Sequence, residues 1–85
     1  MTDNTKTFDG VQTSLINFIS QNFYVEKEEI NLEESLVDTG IIDSIGLIEI
    51  ASYIEQNYGI SVSAEHMTRE NFGSVNKIVQ FIFKN

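Results

Sequence analysis

The sequence has no cysteine and no proline, and it has a single histidine, His66. Without cysteine, neither disulfide bonds nor thiolate metal sites can reinforce the fold. One histidine argues against a histidine-based metal cluster, and the acidic stretch 26–38 lacks the ligand order of a calcium loop. We therefore predict no metal site, and the core of this single small domain must hold by packing alone.

Basic residues are also scarce, with 5 against 13 acidic ones and a formal net charge of −8 over 85 residues. This balance argues against nucleic acid and anionic membranes as partners, because both require a positive surface. It favours basic protein surfaces as partners, although a charge that only maintains solubility is the simpler alternative.

Long apolar runs are absent as well. No stretch approaches the length that spans a bilayer, and residues 1–7 are polar, without the apolar centre of a signal peptide. We expect a cytoplasmic protein without membrane insertion, in which residues 1–7 form a flexible lead and residues 8–85 form the domain.

What the chain does contain is helical periodicity. Apolar residues recur at steps of three and four over residues 8–23, 44–58 and 75–83, so each stretch has one apolar helical face. A shorter helix is expected at 68–72. The pattern predicts an all-α fold, a small bundle of three to four helices with a long loop between the first two.

Several residues are suited to start or end these helices. Thr7 or Asp9 is expected to cap the first helix and Asp43 or Ser44 the second. Gly59 follows the second helix, where glycine commonly ends one.

The segment 24–37 follows neither the helical nor the strand period. Glutamates alternate with scattered apolar residues, and we expect an ordered loop held to the core by Ile30, Leu32 and Leu36, with a helical turn at 35–38. A loop of this length usually has a function or internal structure, and a plain solvated connector is the alternative.

Ser44 occupies the point where this loop becomes the second helix. A side chain there faces unpaired backbone N–H groups and the positive end of the helix dipole, which favour a phosphodiester. The alternative is that Ser44, beside the acidic Asp43, is only an N-cap, and spacing alone favours the cap.

An enzymatic role finds little support in the residues. A serine nucleophile needs a base within reach, and His66, the one histidine, is expected at the surface of a polar connector. No glycine-rich phosphate loop is present. We therefore predict that the chain is not an enzyme and has no catalytic residues.

The second helix has two apolar residues outside its main stripe, which we expect to comprise Leu47, Ala51, Ile54 and Tyr58, with Ile50 beside it. Ile45 and Ile48 lie on other faces. An exposed apolar pair beside Ser44 would form a docking surface, and burial of both residues is the alternative.

The order of motifs resembles the acyl carrier protein family over residues 8–83. Asp43-Ser44-Ile45 is similar to the family's Asp-Ser-hydrophobe triplet, and the match continues upstream and downstream of it. The further matching segments are Glu34-Ser35-Leu36, Leu47-Ile48-Glu49-Ile50, Ile54-Glu55, Tyr58-Gly59-Ile60 and Phe72-Gly73-Ser74-Val75, with Ile78 and Ile82 at apolar positions of the last helix.

The resemblance implies a bundle of acyl-carrier-protein type that carries an acyl group as a thioester on a 4′-phosphopantetheine arm. Ser44 would receive this arm from coenzyme A. The residues implied in recognition by the modifying enzyme and by partners are Asp43, Ile45, Ile48, Glu49 and Glu55.

The partners implied are a phosphopantetheinyl transferase, an acyl- or aminoacyl-loading ligase, and downstream transferases with basic docking surfaces. We expect a monomer. In some members of the family the core also admits an acyl chain between helices.

Two positions differ from the fatty-acid carriers. Gly40 lies three residues before Asp43, where those carriers usually have glycine two before, and this spacing is nearer to D-alanyl and other stand-alone carriers. Gly46 replaces an acidic residue and weakens the first turn of the helix. The main interpretation is therefore an acyl carrier of a specialised pathway. The alternatives are an aminoacyl carrier of D-alanyl type and, in another class, an unmodified acidic helical interaction module.

Overall fold

The computed structural model describes residues 7–84, and these residues form four α-helices without a β-strand. The helices are α1 (Phe8–Phe23), α2 (Ser44–Tyr58), α3 (Arg69–Phe72) and α4 (Val75–Lys84). The all-α prediction is confirmed, and the bounds of α1 and α2 are those predicted. Of the lead predicted at 1–7, residues 1–6 lie outside the described residues.

The helix ends follow from local hydrogen bonds. The hydroxyl of Thr7, not Asp9, caps α1 by accepting a hydrogen bond from the Gly10 N–H at 3.0 Å. Gly59 closes α2 with a φ of 66°, a left-handed conformation that glycine adopts at little cost. The backbone therefore turns where the sequence placed its capping residues.

The core is one apolar cluster to which all four helices contribute. Its most buried members include Val11, Leu15, Ile19, Ile50, Ile54, Phe72, Val75, Ile78, Val79 and Ile82. Each helix buries one stripe against the others, because no helix this short is stable in water alone.

The stripe predicted for α2 is partly wrong. The buried positions are Gly46, Ile50, Ala51 and Ile54, whereas Leu47 is only partly buried. The buried line runs in steps of four from Gly46 through Ile50 to Ile54, because α2 faces the end of α1 and turns the Leu47 side toward the loop.

The long loop is ordered and has internal structure, as one of the two interpretations predicted. Ile30 and Leu36 are buried and Leu32 is partly buried. The backbone is tied to the α3–α4 region, since the Leu36 N–H donates to the Gly73 carbonyl at 3.0 Å and the Asn76 N–H to the Leu32 carbonyl at 3.1 Å. A 3₁₀ turn at Lys27–Glu29, which the sequence pattern did not indicate, lies within it.

The connector between α2 and α3 contains a second 3₁₀ turn, Ala64–His66. His66 lies at the surface of this connector and is partly buried, with its ring centre 5.3 Å from that of Phe81. Its Nδ1 accepts a hydrogen bond from the Ser63 N–H at 3.1 Å. The partial burial arises because the connector folds back onto α4.

Candidate functional site

At the start of α2, the structure shows which of two adjacent residues, Asp43 or Ser44, caps the helix, a question that the sequence left open. The Asp43 carboxylate accepts a hydrogen bond from the Gly46 N–H at 2.8 Å, and Asp43 is the N-cap. Ser44 is the first helical residue, and its side chain is exposed. Within the described part of the chain, no hydrogen bond to its hydroxyl is found. Ser44 is therefore not the cap, and its hydroxyl is available for reaction.

The loop before Asp43 holds this helix end in place. The Leu36 carbonyl accepts hydrogen bonds from both the Ile41 and Ile42 N–H groups, each at 3.1 Å. Gly40 has a φ of 81°, which strains any residue with a Cβ. The buried Ile42 side chain then anchors the chain directly before Asp43.

Gly46 allows the end of α1 to pack against the first turn of α2. A Cβ at this position would lie 3.0 Å from both the Phe23 ring and the Ile42 Cβ. The sequence indicated only a loss of helix propensity here, and the structure adds a packing reason for glycine. Any residue with a Cβ at this position would require Phe23 or Ile42 to move by a few tenths of an ångström.

Two grooves reach Ser44 from different sides. The first, of about 550 Å³, lies between the end of α1 and the loop and is lined by Asn22, Phe23, Tyr24, Val37 and Gly40 to Ser44. The second, of about 190 Å³, lies between the loop, α2 and α3, with Leu47, Met67 and Phe72 in its wall. Both grooves include Ser44, so a group attached there has two neighbouring surfaces to follow.

An ion pair joins the two sides of the second groove. The Arg69 guanidinium donates to the Asp38 carboxylate through two nitrogens, at 2.9 and 3.2 Å. These hydrogen bonds, reinforced by the positive charge of Arg69, lower the pKa of Asp38 from its ordinary value of 3.8. The pair ties the loop to α3 directly beside the wall of this groove.

The residues implied in docking lie on the outer side of α2. Ile45 and Ile48 are 66% and 59% exposed, which confirms that neither belongs to the core. Glu49 is exposed beside them. Glu55 lies two turns further along α2, and its carboxylate accepts a hydrogen bond from the Val62 N–H at 2.8 Å. Glu55 thus also holds the connector that follows α2.

Sequence reasoning missed Tyr24, which lines the first groove. Its φ is 59°, and its side chain is 92% exposed. The available signal was the absence of glycine or asparagine after α1, where helices commonly end in the left-handed conformation.

Comparison with protein families identifies the chain. The model for the phosphopantetheine attachment site family matches residues 13–82, which is most of the chain. The chain belongs to this family. It is a carrier protein of the phosphopantetheine-binding type, and this confirms both the resemblance and the prosthetic group that the resemblance implied.

The curated relatives of this carrier include D-alanyl carrier proteins. One, from Streptococcus suis (strain 05ZYH33), is 30% identical over 69 residues, which cover 81% of this chain and 86% of that protein. Another, from Streptococcus pyogenes serotype M1, is 29% identical over 71 residues, covering 84% and 89% respectively.

A solved structure shares the fold. The HMG-ACPI domain of the CurA module from Lyngbya majuscula, determined by NMR, matches with a TM-score of 0.76. The match covers 99% of this chain and 84% of that domain at 23% sequence identity, so the likeness concerns the fold alone. It confirms the predicted bundle of acyl-carrier-protein type.

No helix in residues 7–84 has the length and hydrophobicity needed to cross a membrane. No group of three histidine or acidic side chains in the same residues is arranged to hold a metal ion.

The residues around Ser44 fit a phosphopantetheine group. The hydroxyl is exposed and unbonded, and Asp43 caps only the Gly46 N–H, so the N–H groups of Ser44 and Ile45 have no partner inside the helix. Such groups, with the positive helix end, stabilise a phosphate. The Asp43 carboxylate, by contrast, places a like charge nearby and does not help the product.

Proposed function

We propose that this carrier bears 4′-phosphopantetheine on Ser44, holds an acyl group as a thioester on the arm, and presents it to partner enzymes. The observation that carries the assignment is the division of roles at the start of α2. Since Asp43 performs the capping, the fold has no use for the Ser44 hydroxyl, which stands exposed at the helix end.

The chain's own residues supply position and recognition. The first turn of α2 fixes the Ser44 oxygen, while its exposed N–H groups stabilise the negative charge of an attached phosphate. The arm, when bound, supplies the thiol that forms the thioester. We propose that the chain itself is not catalytic. His66 supports this, because its Nδ1 is occupied by the Ser63 N–H within its own turn.

We further propose that partners dock on the outer side of α2, through Ile45, Ile48 and Glu49, with Glu55 at its far end. A phosphopantetheinyl transferase, a loading ligase and downstream transferases would each present a basic surface to this acidic chain. The Asp43 carboxylate, exposed beside Ser44, is placed to engage a basic side chain of the modifying enzyme. In this proposal the protein is a cytoplasmic monomer.

The attachment is tested by intact mass after incubation with coenzyme A and a broad-specificity phosphopantetheinyl transferase. We expect wild type to gain the mass of one arm and Ser44→Ala to gain none. Ser52→Ala is the matched control, because Ser52 is an exposed serine on the same helix, and it should gain the arm normally. No gain on wild type, or an equal gain on Ser44→Ala, contradicts the proposal.

An aminoacyl cargo is the second candidate, and two observations favour it. The relatives described above are named D-alanyl carrier proteins, and Gly40 precedes Asp43 by three residues, as in that group. Holo protein offered D-alanine, ATP and a D-alanine ligase would gain a D-alanyl group under this candidate. Loading by an acyl ligase alone supports the first candidate, and both outcomes are read from the mass.

A further inference from the structure

The end of α1 contains a residue type that is unusual for its backbone conformation. Tyr24 follows the last residue of α1 with a φ of 59° and a ψ of 42°. It is the one residue other than glycine with a positive φ in residues 7–84. Glycine or asparagine usually occupies this position, and a bulky side chain there strains the backbone.

Burial does not compensate for this strain. The Tyr24 side chain is 92% exposed, and none of the hydrogen bonds or ring contacts found in residues 7–84 involves it. The other tyrosines differ, since the Tyr53 ring stacks on Phe18 at 4.4 Å and also contacts Tyr58. Residues held in strained backbone conformations cluster at active sites and ligand sites.

The Tyr24 side chain borders the first groove, and Ser44 lies in the same groove. A group joined to the Ser44 oxygen therefore begins at the edge of this groove, as it does at the edge of the second. The facing wall consists of Val37, Gly40 and Ile41, and the space where a Gly40 side chain would stand is open. The lining combines polar residues such as Asn22 and Asp43 with apolar ones such as Ile41.

The second groove is a less suitable place for a long attached group. It has about 190 Å³ against about 550 Å³. The Asp38–Arg69 ion pair also ties its two sides together. Widening it would also separate the exposed Asp38–Arg69 pair, whereas the first groove is open without any rearrangement.

We propose that the first groove is the resting site of the pantetheine part of the arm, and that Tyr24 is a positioning residue that forms its outer wall. This inference rests on the proposed attachment to Ser44. Pantetheine is uncharged and combines two amides and a hydroxyl with a pair of methyl groups, which matches a groove of mixed polarity. The phosphate stays at the end of α2.

The test compares amide NMR spectra of the apo and holo proteins, with the holo form verified by mass. We expect changes at residues 22–24 and 40–41 in addition to the modified turn, and nuclear Overhauser contacts between the arm's methyl protons and the Tyr24 ring. Changes confined to residues 43–47 mean that the arm is free in solvent. Changes at Met67 and Arg69 place it in the second groove. Either result overturns the inference.

A matched pair of variants tests Tyr24 itself. Tyr24→Asn removes the ring but keeps a residue suited to the left-handed conformation, so its melting temperature should not fall. Met67→Ala alters the second groove instead. An arm that rests in the first groove for about half of the time exposes its thiol for the other half. Its thiol should therefore react with iodoacetamide about twofold faster in holo Tyr24→Asn, where the arm is always free, than in wild type. The rate should be unchanged in Met67→Ala.

An equal rate in wild type and Tyr24→Asn, with no arm contacts to the Tyr24 ring, contradicts the role of Tyr24. Failure of the proposed attachment is distinguishable, because wild type would then gain no mass and no holo form would exist to compare.

Discussion

The Asp43 carboxylate caps α2 and so leaves the hydroxyl of its neighbour, Ser44, outside the cap. By holding the Gly46 N–H at 2.8 Å it performs the capping that would otherwise occupy a serine hydroxyl. A cap of this kind contributes about 1 kcal/mol to stability. The residue that marks the site in the sequence therefore has a structural role in addition to its proposed recognition role, and substitutions can separate the two.

Asp43→Ala should lower the free energy of unfolding by about 1 kcal/mol, because the cap is lost. Thr7→Ala removes the corresponding cap of α1 and should cost a similar amount, which thermal melts will show. The two variants should differ in function. Only Asp43→Ala is expected to slow the attachment of the arm, measured by the time course of the mass gain.

Asp43→Asn isolates the charge, since asparagine caps helices about as well as aspartate. We expect normal stability and slow modification, because the transferase is proposed to recognise the negative charge. Modification of Asp43→Asn at the wild-type rate would assign the effect of Asp43 to capping alone.

At the scale of the element, α2 has two apolar faces with different purposes. Ile50 and Ile54 are fully buried, whereas Ile45 and Ile48 are mostly exposed. Residues two apart on a helix face different directions, so Ile48 and Ile50 form a matched pair of the same residue type on one helix.

Ile50→Ala should lower the free energy of unfolding by about 2–5 kcal/mol, because it leaves a cavity in the core. Ile48→Ala should change stability by less than about 0.5 kcal/mol and should weaken transfer to partner enzymes. Chemical denaturation and single-turnover transfer from the loaded carrier measure the two effects. Loss of stability by more than about 2 kcal/mol in Ile48→Ala would place Ile48 in the core.

At the scale of the molecule, negative charge predominates. The formal net charge is −8, and in the described residues one ion pair, Asp38–Arg69, offsets the repulsion locally. Both side chains of that pair are largely exposed, and such pairs contribute little to stability. We therefore expect repulsion among the acidic residues to be the larger electrostatic effect.

Sodium chloride at about 0.5 M should raise the melting temperature by a few degrees, because it screens this repulsion. A gain of about 1 kcal/mol corresponds to roughly 4–8 °C in a domain of this size. Arg69→Met removes the ion pair and serves as the control. Its melting temperature should rise with salt by about as much as that of wild type. A melting temperature that stays constant or falls with salt would contradict repulsion as a significant contribution.

The sequence by itself determined the helices and the family, and it narrowed the starts of α1 and α2 to two candidate caps each. Periodicity over residues 8–23 and 44–58 reproduces the observed bounds of α1 and α2, because capping residues and amphipathic spacing act over a few neighbouring positions. The motif around Ser44 likewise depends on residues adjacent in the chain, and the family comparison confirms the resemblance drawn from it.

Only the tertiary structure decided between the alternatives that the spacing of residues left open. It assigned the cap to Asp43, showed Ile45 and Ile48 to be exposed, and brought Phe23 and Tyr24 beside Ser44. The cap is a local hydrogen bond, but the other two facts depend on how α1, the loop and α2 pack together, where residues some 20 positions apart in the chain meet. Local periodicity carries no information about which of two possible faces the neighbouring elements will cover.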